Sequence, residues 1–130
     1  MTAATTFDLR KTYVNLDANG AAEKLVVTDT FWAELREGTR RPEGYLITAF
    51  DVREDMPLWE RHPNGDEFLY LMSGKLDVLI EQAGQQQRVP LRADGPGVVI
   101  PAGAWHRTVV IEPGRLMFIT WGEGTEHRPV

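Results

Sequence analysis

Two histidines and two glutamates, placed in two short stretches of the chain, are the residues best suited to chemistry. The first stretch contains Glu60, His62 and Glu67, and the second ends at His106. Imidazole nitrogens and carboxylate oxygens are ligands that Fe(II), Mn(II), Ni(II) and Zn(II) accept in proteins. We therefore predict a divalent transition metal at these four residues, with positions left open for water or substrate.

The spacing of these residues predicts how they meet. Glu60 and His62 are two apart on one predicted strand, so both side chains emerge on the same face. The Pro-Asn-Gly-Asp sequence at 63–66 then turns the chain and can return Glu67 beside His62. His106 begins a later predicted strand after a Pro-x-Gly turn and can complete the set from across the sheet.

Three roles are open to Glu60: metal ligand, general base in the pocket, or acceptor of a hydrogen bond from a metal-bound water. We favour a ligand or near-ligand that is also the candidate catalytic residue, because an inward carboxylate in an apolar barrel is costly without a partner. The third histidine, His127, lies in the polar tail 123–130, and we predict that it is solvated.

The elements that must position these residues are predominantly β. From residue 45 onward, short runs separated by turn signals rich in Gly, Pro, Asn and Asp predict about eight strands, which favours a sandwich, barrel or jelly roll. The predicted strands are 45–52, 58–62, 67–73, 75–81, 87–91, 97–101, 106–111 and 115–121.

The N-terminal part of the sequence is less regular. We predict irregular structure over the first twenty or so residues, a short strand at 24–28, and one helical turn at 30–36. Thr30 would cap that turn and Gly38 would end it. Trp32 and Tyr45 are candidates to close one end of the barrel, with plain core packing the stronger alternative.

The strand that begins at Glu67 has two apolar faces. If Glu67 points inward, Leu69 and Leu71 do so too, and Phe68, Tyr70 and Met72 point outward. Such an outer face must be covered either by the N-terminal segment or by a second subunit. We expect one domain over residues 1–130, with a core barrel at about 45–121, a segment 1–44 packed on it or on a partner subunit, and a homodimer.

The composition limits the classes of partner. Acidic residues outnumber basic ones by 19 to 14, whereas a nucleic-acid binder needs a cationic face. The absence of cysteine excludes disulfides and thiolate ligands. No stretch approaches the roughly 18 apolar residues of a membrane span, and the first residues lack signal-peptide features. We expect a cytoplasmic protein that binds a small molecule and neither nucleic acid nor membrane.

The first of the two stretches resembles a sequence motif of the cupin superfamily. That motif has two histidines one residue apart, a glutamate a few residues on, and a glycine after six more. His62 matches the second histidine, Glu67 the glutamate and Gly74 the glycine. Glu60 stands where the family has its first histidine, which is a departure from the pattern.

The second stretch resembles the other cupin motif, a glycine, five residues, Pro-x-Gly, two residues and a histidine. Gly95, Pro101, Gly103 and His106 match it. The resemblance is to small single-domain bacterial cupins, and it implies a double-stranded β-helix, a jelly-roll barrel, that binds a metal through the matched ligands. It covers dioxygenases, isomerases and decarboxylases as well as non-catalytic binding modules and sensors. A dioxygenase is the first choice, because an open site of two histidines and a carboxylate suits ferrous oxygen chemistry.

Overall fold

The structure is a computed structural model that describes residues 3–40 and 42–130. The parts of the predicted N-terminal segment at residues 1, 2 and 41 lie outside the described residues. The described elements, in chain order, are β1 (Thr12–Leu16), β2 (Ala22–Val26), α1 (Phe31–Glu37), β3 (Tyr45–Val52), β4 (Leu58–Arg61), β5 (Glu67–Leu71), β6 (Lys75–Gln82), β7 (Gln85–Arg92), β8 (Val98–Ile100), β9 (Trp105–Glu112), β10 (Gly114–Trp121) and β11 (Glu126–Pro129).

The strands form two antiparallel sheets that pack face to face. The first sheet has the order β2-β1-β3-β10-β5-β8 and the second the order β11-β4-β9-β6-β7. The chain crosses repeatedly between them, so consecutive strands such as β4 and β5 lie in different sheets. This arrangement confirms the predicted all-β jelly-roll fold with one short helix.

The core lies between the inner faces of the two sheets. Leu69 and Leu71 of the first sheet and Leu76 and Val78 of the second belong to one buried cluster. Along β5, burial alternates as predicted, because Glu67, Leu69 and Leu71 are buried while Phe68 and Tyr70 are only partly so. Glu67 therefore enters the interior as part of the regular strand pleat.

The prediction of irregular structure holds for residues 3–11 but is wrong for β1, which forms a hairpin with β2. β2 itself overlaps the strand predicted at 24–28. β1 also pairs with the edge of β3, with Val14 opposite Ile47, and so extends the first sheet. Tyr13 and Asn15 alternate with partly exposed neighbours and point inward. Only one of these two inward residues is apolar, so the sequence carries little period-2 signal, and pairing with β3 decides the structure.

The helical turn occurs where it was predicted, with one difference at its start. Gly38 ends α1 in the left-handed conformation at φ 75°, as expected, but the Thr30 side chain makes no capping hydrogen bond. Phe31 is fully buried, and Trp32 packs edge-to-face against Phe50 and at a tilt against Phe118, at ring-centroid distances of 6.4 and 6.2 Å. Since Phe118 packs on the core between the sheets, Trp32 connects α1 to that core.

Tyr45, the other candidate to close one end of the barrel, is the first residue of β3. Tyr45 packs edge-on against Trp121, with ring centroids 5.1 Å apart, and remains partly exposed. No described helix has the length and hydropathy that crossing a membrane requires.

The turn between β5 and β6 packs closely against the turn between β9 and β10 at Gly74, and substitution of this glycine tests that contact. Gly74 has φ +86°, and a Cβ on it would lie 2.7 Å from the carbonyl oxygens of Glu112 and Pro113. Gly20 has the same φ of +86° with nothing within 4 Å of its Cβ position. We expect Gly20→Ala to lower the free energy of unfolding by about 1 kcal/mol through backbone strain alone. Gly74→Ala should lower it by roughly 3 kcal/mol or more, since overpacking adds to that strain.

Urea denaturation of the two variants measures this difference, and Gly20→Ala is the matched control. Equal losses of stability in the two variants would contradict the steric account of the β5–β6 turn.

Candidate metal centre

Four residues from both sheets meet between the layers. Glu60 lies on β4 and pairs in register with His106 of β9, and His62 follows the last residue of β4. Glu67 is the first residue of β5 in the opposite sheet. The turn at 63–66 carries the chain from one sheet to the other, so the four predicted ligands lie together.

The ligand atoms of these residues lie within 4.8 Å of one another. His62 Nε2 is 3.0 Å from Glu60 Oε1 and 3.1 Å from Glu67 Oε2. His106 Nε2 is 3.1 Å from Glu67 Oε1 and 3.7 Å from Glu60 Oε1. His62, Glu67 and His106 are buried, whereas the Glu60 side chain keeps 24% of its surface exposed. Access to the cluster is therefore through the side of Glu60.

The donor set fits a divalent metal ion. His62 Nε2 is buried without a hydrogen-bond partner among the described residues, although two carboxylates face it. An ion bound at about 2.0–2.2 Å from each ligand places opposite ligand atoms about 4.2 Å apart, close to the observed spread. Nitrogen and carboxylate oxygen donors together suit Fe(II), Mn(II), Ni(II) or Zn(II).

Hydrogen bonds on the far side of His62 fix the orientation of its ring. The Thr125 hydroxyl donates its one proton to the carbonyl oxygen of Gly122 at 2.7 Å. The same hydroxyl oxygen lies 2.8 Å from His62 Nδ1. Because the hydroxyl proton is already donated to Gly122, the oxygen must accept a hydrogen bond from Nδ1–H. When the ring is neutral, Nε2 therefore directs its lone pair at the cluster, which is the tautomer that metal binding requires.

The other ligands have similar supports. His106 Nδ1 lies 3.3 Å from the carbonyl oxygen of Ala104, which again leaves Nε2 free for the cluster. The Thr120 hydroxyl donates a hydrogen bond to Glu67 Oε2. Thr120 is directly opposite Glu67 in the β10–β5 register, so strand pairing places it. The sequence motifs gave no sign of Thr120 or Thr125.

His127 is exposed, as predicted, but the tail that carries it is a strand. Residues 126–129 form β11, which pairs with β4 and sets His127 opposite Glu60. His127 Nε2 lies 2.9 Å from Glu60 Oε2, while Glu60 Oε1 faces His62. The hydrogen bond with His127 thus holds one oxygen of Glu60 and leaves the other to the cluster. The short, charged strand has no apolar alternation that would have revealed it.

An aromatic and cationic cluster on the outer side of the second sheet holds β11 against β4. The Arg128 guanidinium stacks on Trp59 and Trp105, with centroid distances of 5.2 and 4.7 Å. Arg61 stacks on Trp105 at 4.6 Å and forms an ion pair with Glu126 at 2.6 Å. These contacts join β4, β9 and β11, and they therefore support the position of His127.

The histidines and glutamates of the cluster shift one another's pKa values. Burial alone lowers the pKa of both buried imidazoles, but the carboxylates of Glu60 and Glu67 outweigh it and raise the pKa of His62 to about 9 and that of His106 to about 10. Burial alone raises the pKa of Glu67, but the adjacent imidazoles of His106 and His62 lower it to about 2. The pKa of Glu60 is held far below its usual range against the effect of burial, by His106, His127 and His62.

A β-sandwich with a His and Glu cluster between its sheets defines the class of jelly-roll proteins with an internal site suited to a divalent metal. The cupin domain family matches residues 46–122, and the chain therefore belongs to the cupin family. No curated protein sequence matches the chain.

Solved structures agree with this assignment. A cupin-2 domain containing protein from Shewanella frigidimarina is 28% identical with a TM-score of 0.50, over 58% of this chain and 69% of that chain. Oxalate decarboxylase from Bacillus subtilis, in a structure concerned with its Mn(II) centres, is 21% identical with a TM-score of 0.55. That match covers 66% of this chain and 24% of the decarboxylase chain, and it shows the same fold.

The raised pKa values of the histidines predict that protons compete with metal. At pH 7.5 both His62 and His106 are protonated in the metal-free protein, because their pKa values are about 9 and 10. Metal ligation requires neutral imidazoles, so uptake should release about two protons per ion. Affinity should therefore rise with pH, by up to about 100-fold per unit below pH 9.

Titration calorimetry of Zn(II) binding in buffers of different ionisation enthalpy counts the released protons, and a chelator competition gives the affinity at each pH. Binding without proton release would mean that the imidazoles are already neutral in the metal-free protein.

Proposed function

We propose that the protein is a metal-dependent enzyme that acts on a small organic molecule, and that a dioxygenase reaction is the first candidate. The observation that carries this proposal is the pair of imidazoles whose Nε2 atoms are aimed at one point beside two carboxylates. His62, Glu67, His106 and Glu60 would hold the ion. A bound divalent metal would supply Lewis-acid polarisation or, as iron, a redox centre for oxygen chemistry.

The protein's own residues would divide the remaining tasks. His62 and His106 would act only as ligands, because their Nδ1 atoms are already committed to Thr125 and Ala104. Glu60 is the candidate catalytic residue, since it alone of the four has an exposed portion and can meet a substrate. Its Oε2 atom would hold or pass a proton with His127 as hydrogen-bond partner.

A non-catalytic binding module is the second candidate. The observation that favours it is the fourth protein ligand, because a carboxylate at position 60 can close a site that three ligands leave open. The two candidates differ in whether an exchangeable water remains on the metal. Water-proton relaxation of the Mn(II)-loaded protein distinguishes them, since a closed site gives little enhancement. Oxalate decarboxylase is described with Mn(II) centres, and this makes manganese one of the ions to test.

Metal content tests the proposal directly. Protein purified without a histidine tag should contain about one divalent ion per chain by elemental analysis, before or after reconstitution. His62→Ala and His106→Ala should each lose it. His127→Ala is the matched control, because it removes a histidine that touches only the outer oxygen of Glu60. That variant should keep the ion with affinity reduced by about 10–100-fold.

Activity separates the two candidates. Iron-loaded wild type should consume oxygen with a substrate found by screening small organic molecules. Glu60→Gln loses one ligand oxygen, so it is compared at saturating iron, where it should lose turnover at least about 100-fold. If wild type takes up no metal even on reconstitution, the metal-centre proposal fails. If it binds metal in a closed site without exchangeable water, the binding module is favoured over the enzyme.

We also propose that residues 1–130 act as one domain in a cytoplasmic homodimer. The outer face of the first sheet supports the dimer, because Ile47, Ile119 and Phe68 lie side by side on it in register and are only partly buried. Val99 on the same sheet is 56% exposed. Large apolar faces of this kind are typical of subunit contacts. Sedimentation equilibrium should give the mass of two chains, and a monomer at micromolar concentration would contradict the dimer.

A further inference from the structure

A cavity of about 360 Å³ opens beside the outer end of the metal centre. Its wall includes Glu60 and His127, and it is completed by Arg36 from α1 and by Met56, Pro57 and Leu58. The volume equals that of about twelve water molecules at about 30 Å³ each. It lies at the lower end of the range for small-molecule sites. Glu60 thus faces the metal centre with one oxygen and contributes to this cavity on its other side.

Arg36 is an exposed cation in the wall of this cavity, and no described residue compensates its charge. In residues 3–40 and 42–130, its side chain has no ion pair or hydrogen bond. Most arginines of the described chain do have such partners, for example Arg40 with Glu34 and Arg88 with Asp77. An unpaired guanidinium beside a small cavity is suited to bidentate binding of a carboxylate.

Glu60, the carboxylate in the cavity wall, does not form an ion pair with Arg36. Glu60 gives its Oε1 atom to His62 and its Oε2 atom to His127. Glu60 and Glu67 together carry the two negative charges that would balance a divalent ion between neutral imidazoles. The positive charge of Arg36 therefore remains to attract an anion, while Met56, Pro57 and Leu58 offer apolar contact to a short hydrocarbon body.

We propose that Arg36 is the substrate-binding residue of this site and that the substrate class is a small organic acid. Its carboxylate binds Arg36, its apolar part lies along Met56, Pro57 and Leu58, and its other end reaches the metal centre beside Glu60. This inference rests on the proposed function, since it assigns a substrate class to the same site.

Equilibrium binding of a matched pair of probes tests this assignment without turnover. Hexanoate and hexanamide have the same hydrocarbon chain and differ in the charge of the head group. With the Zn(II)-loaded protein, which has no redox chemistry, ligand-observed NMR titration should show hexanoate binding at least about tenfold more tightly than hexanamide. That ratio corresponds to a hydrogen-bonded charge pair at about 1.4 kcal/mol per factor of ten.

Variants assign the preference to one side chain. Arg36→Met should remove the preference for hexanoate and leave hexanamide binding and Zn(II) content unchanged, and Arg36→Lys should restore part of it. Arg53→Met is the matched control, because Arg53 is an exposed arginine that lines a different cavity with Asp51 and Ser73. It should bind both probes as wild type does. A role of Arg36 confined to stabilising the last turn of α1 would shift the melting temperature without changing the preference.

The assignment is overturned if hexanoate and hexanamide bind equally, if neither binds, or if Arg36→Met retains the preference, as it would when the carboxylate binds the metal alone. Failure to take up Zn(II) is a separate result that refutes the proposed function. The preference for hexanoate can then still be measured on the metal-free protein, so the two failures are distinguishable.

Discussion

The ion-pair cluster between Glu67 of the first sheet and the two imidazoles of the second sheet is the contact on which the site depends. A single charge buried between two apolar layers would be strongly destabilising. Here two carboxylates and two imidazoles compensate one another, with closest N–O distances of 3.0–3.1 Å. The same arrangement joins the two layers at one end of the core. A divalent ion would replace the protons of the imidazoles, so the charges of the cluster balance both without metal and with metal bound.

The C-terminal part of the chain holds this cluster in place. Thr120 bonds Glu67, Thr125 bonds His62, and His127 bonds Glu60, so three of the four candidate ligands have a partner from residues 120–127. These partners come from β10, from β11 and from the loop between them. The metal centre is therefore built by two segments distant in sequence, and the second of them carries no recognisable motif. Ring tautomer and carboxylate orientation depend on that second segment.

Local pattern was enough to predict the strands from β3 to β10, because short β-type runs separated by turn residues mark them. The choice of a jelly roll among the possible β folds came from the resemblance to the cupin motifs. Local pattern also placed Glu60, His62, Glu67 and His106 in one group, since their spacing on strands and turns limits where they can lie. It failed for β1 and β11, whose side chains are too polar or too few to show a period of two. These strands exist because a neighbouring edge offers hydrogen bonds, and such pairing cannot be read from the segment itself. The partnership of His127 with Glu60 was missed for the same reason.

The departure of Glu60 from the cupin motif has an electrostatic consequence for the whole mouth of the site. With histidine at that position, a divalent ion and Glu67 would leave a net positive centre, whereas Glu60 makes the centre neutral. The field at the mouth would then be set by groups outside the centre, and among the described residues Arg36 on α1 is an unpaired cation that lines the cavity there. On the proposed assignment of Arg36, the helix would supply at the mouth the positive charge that the ligand set lacks. A change at position 60 and a residue on a separate N-terminal element thus act on the same property, the attraction of an anion.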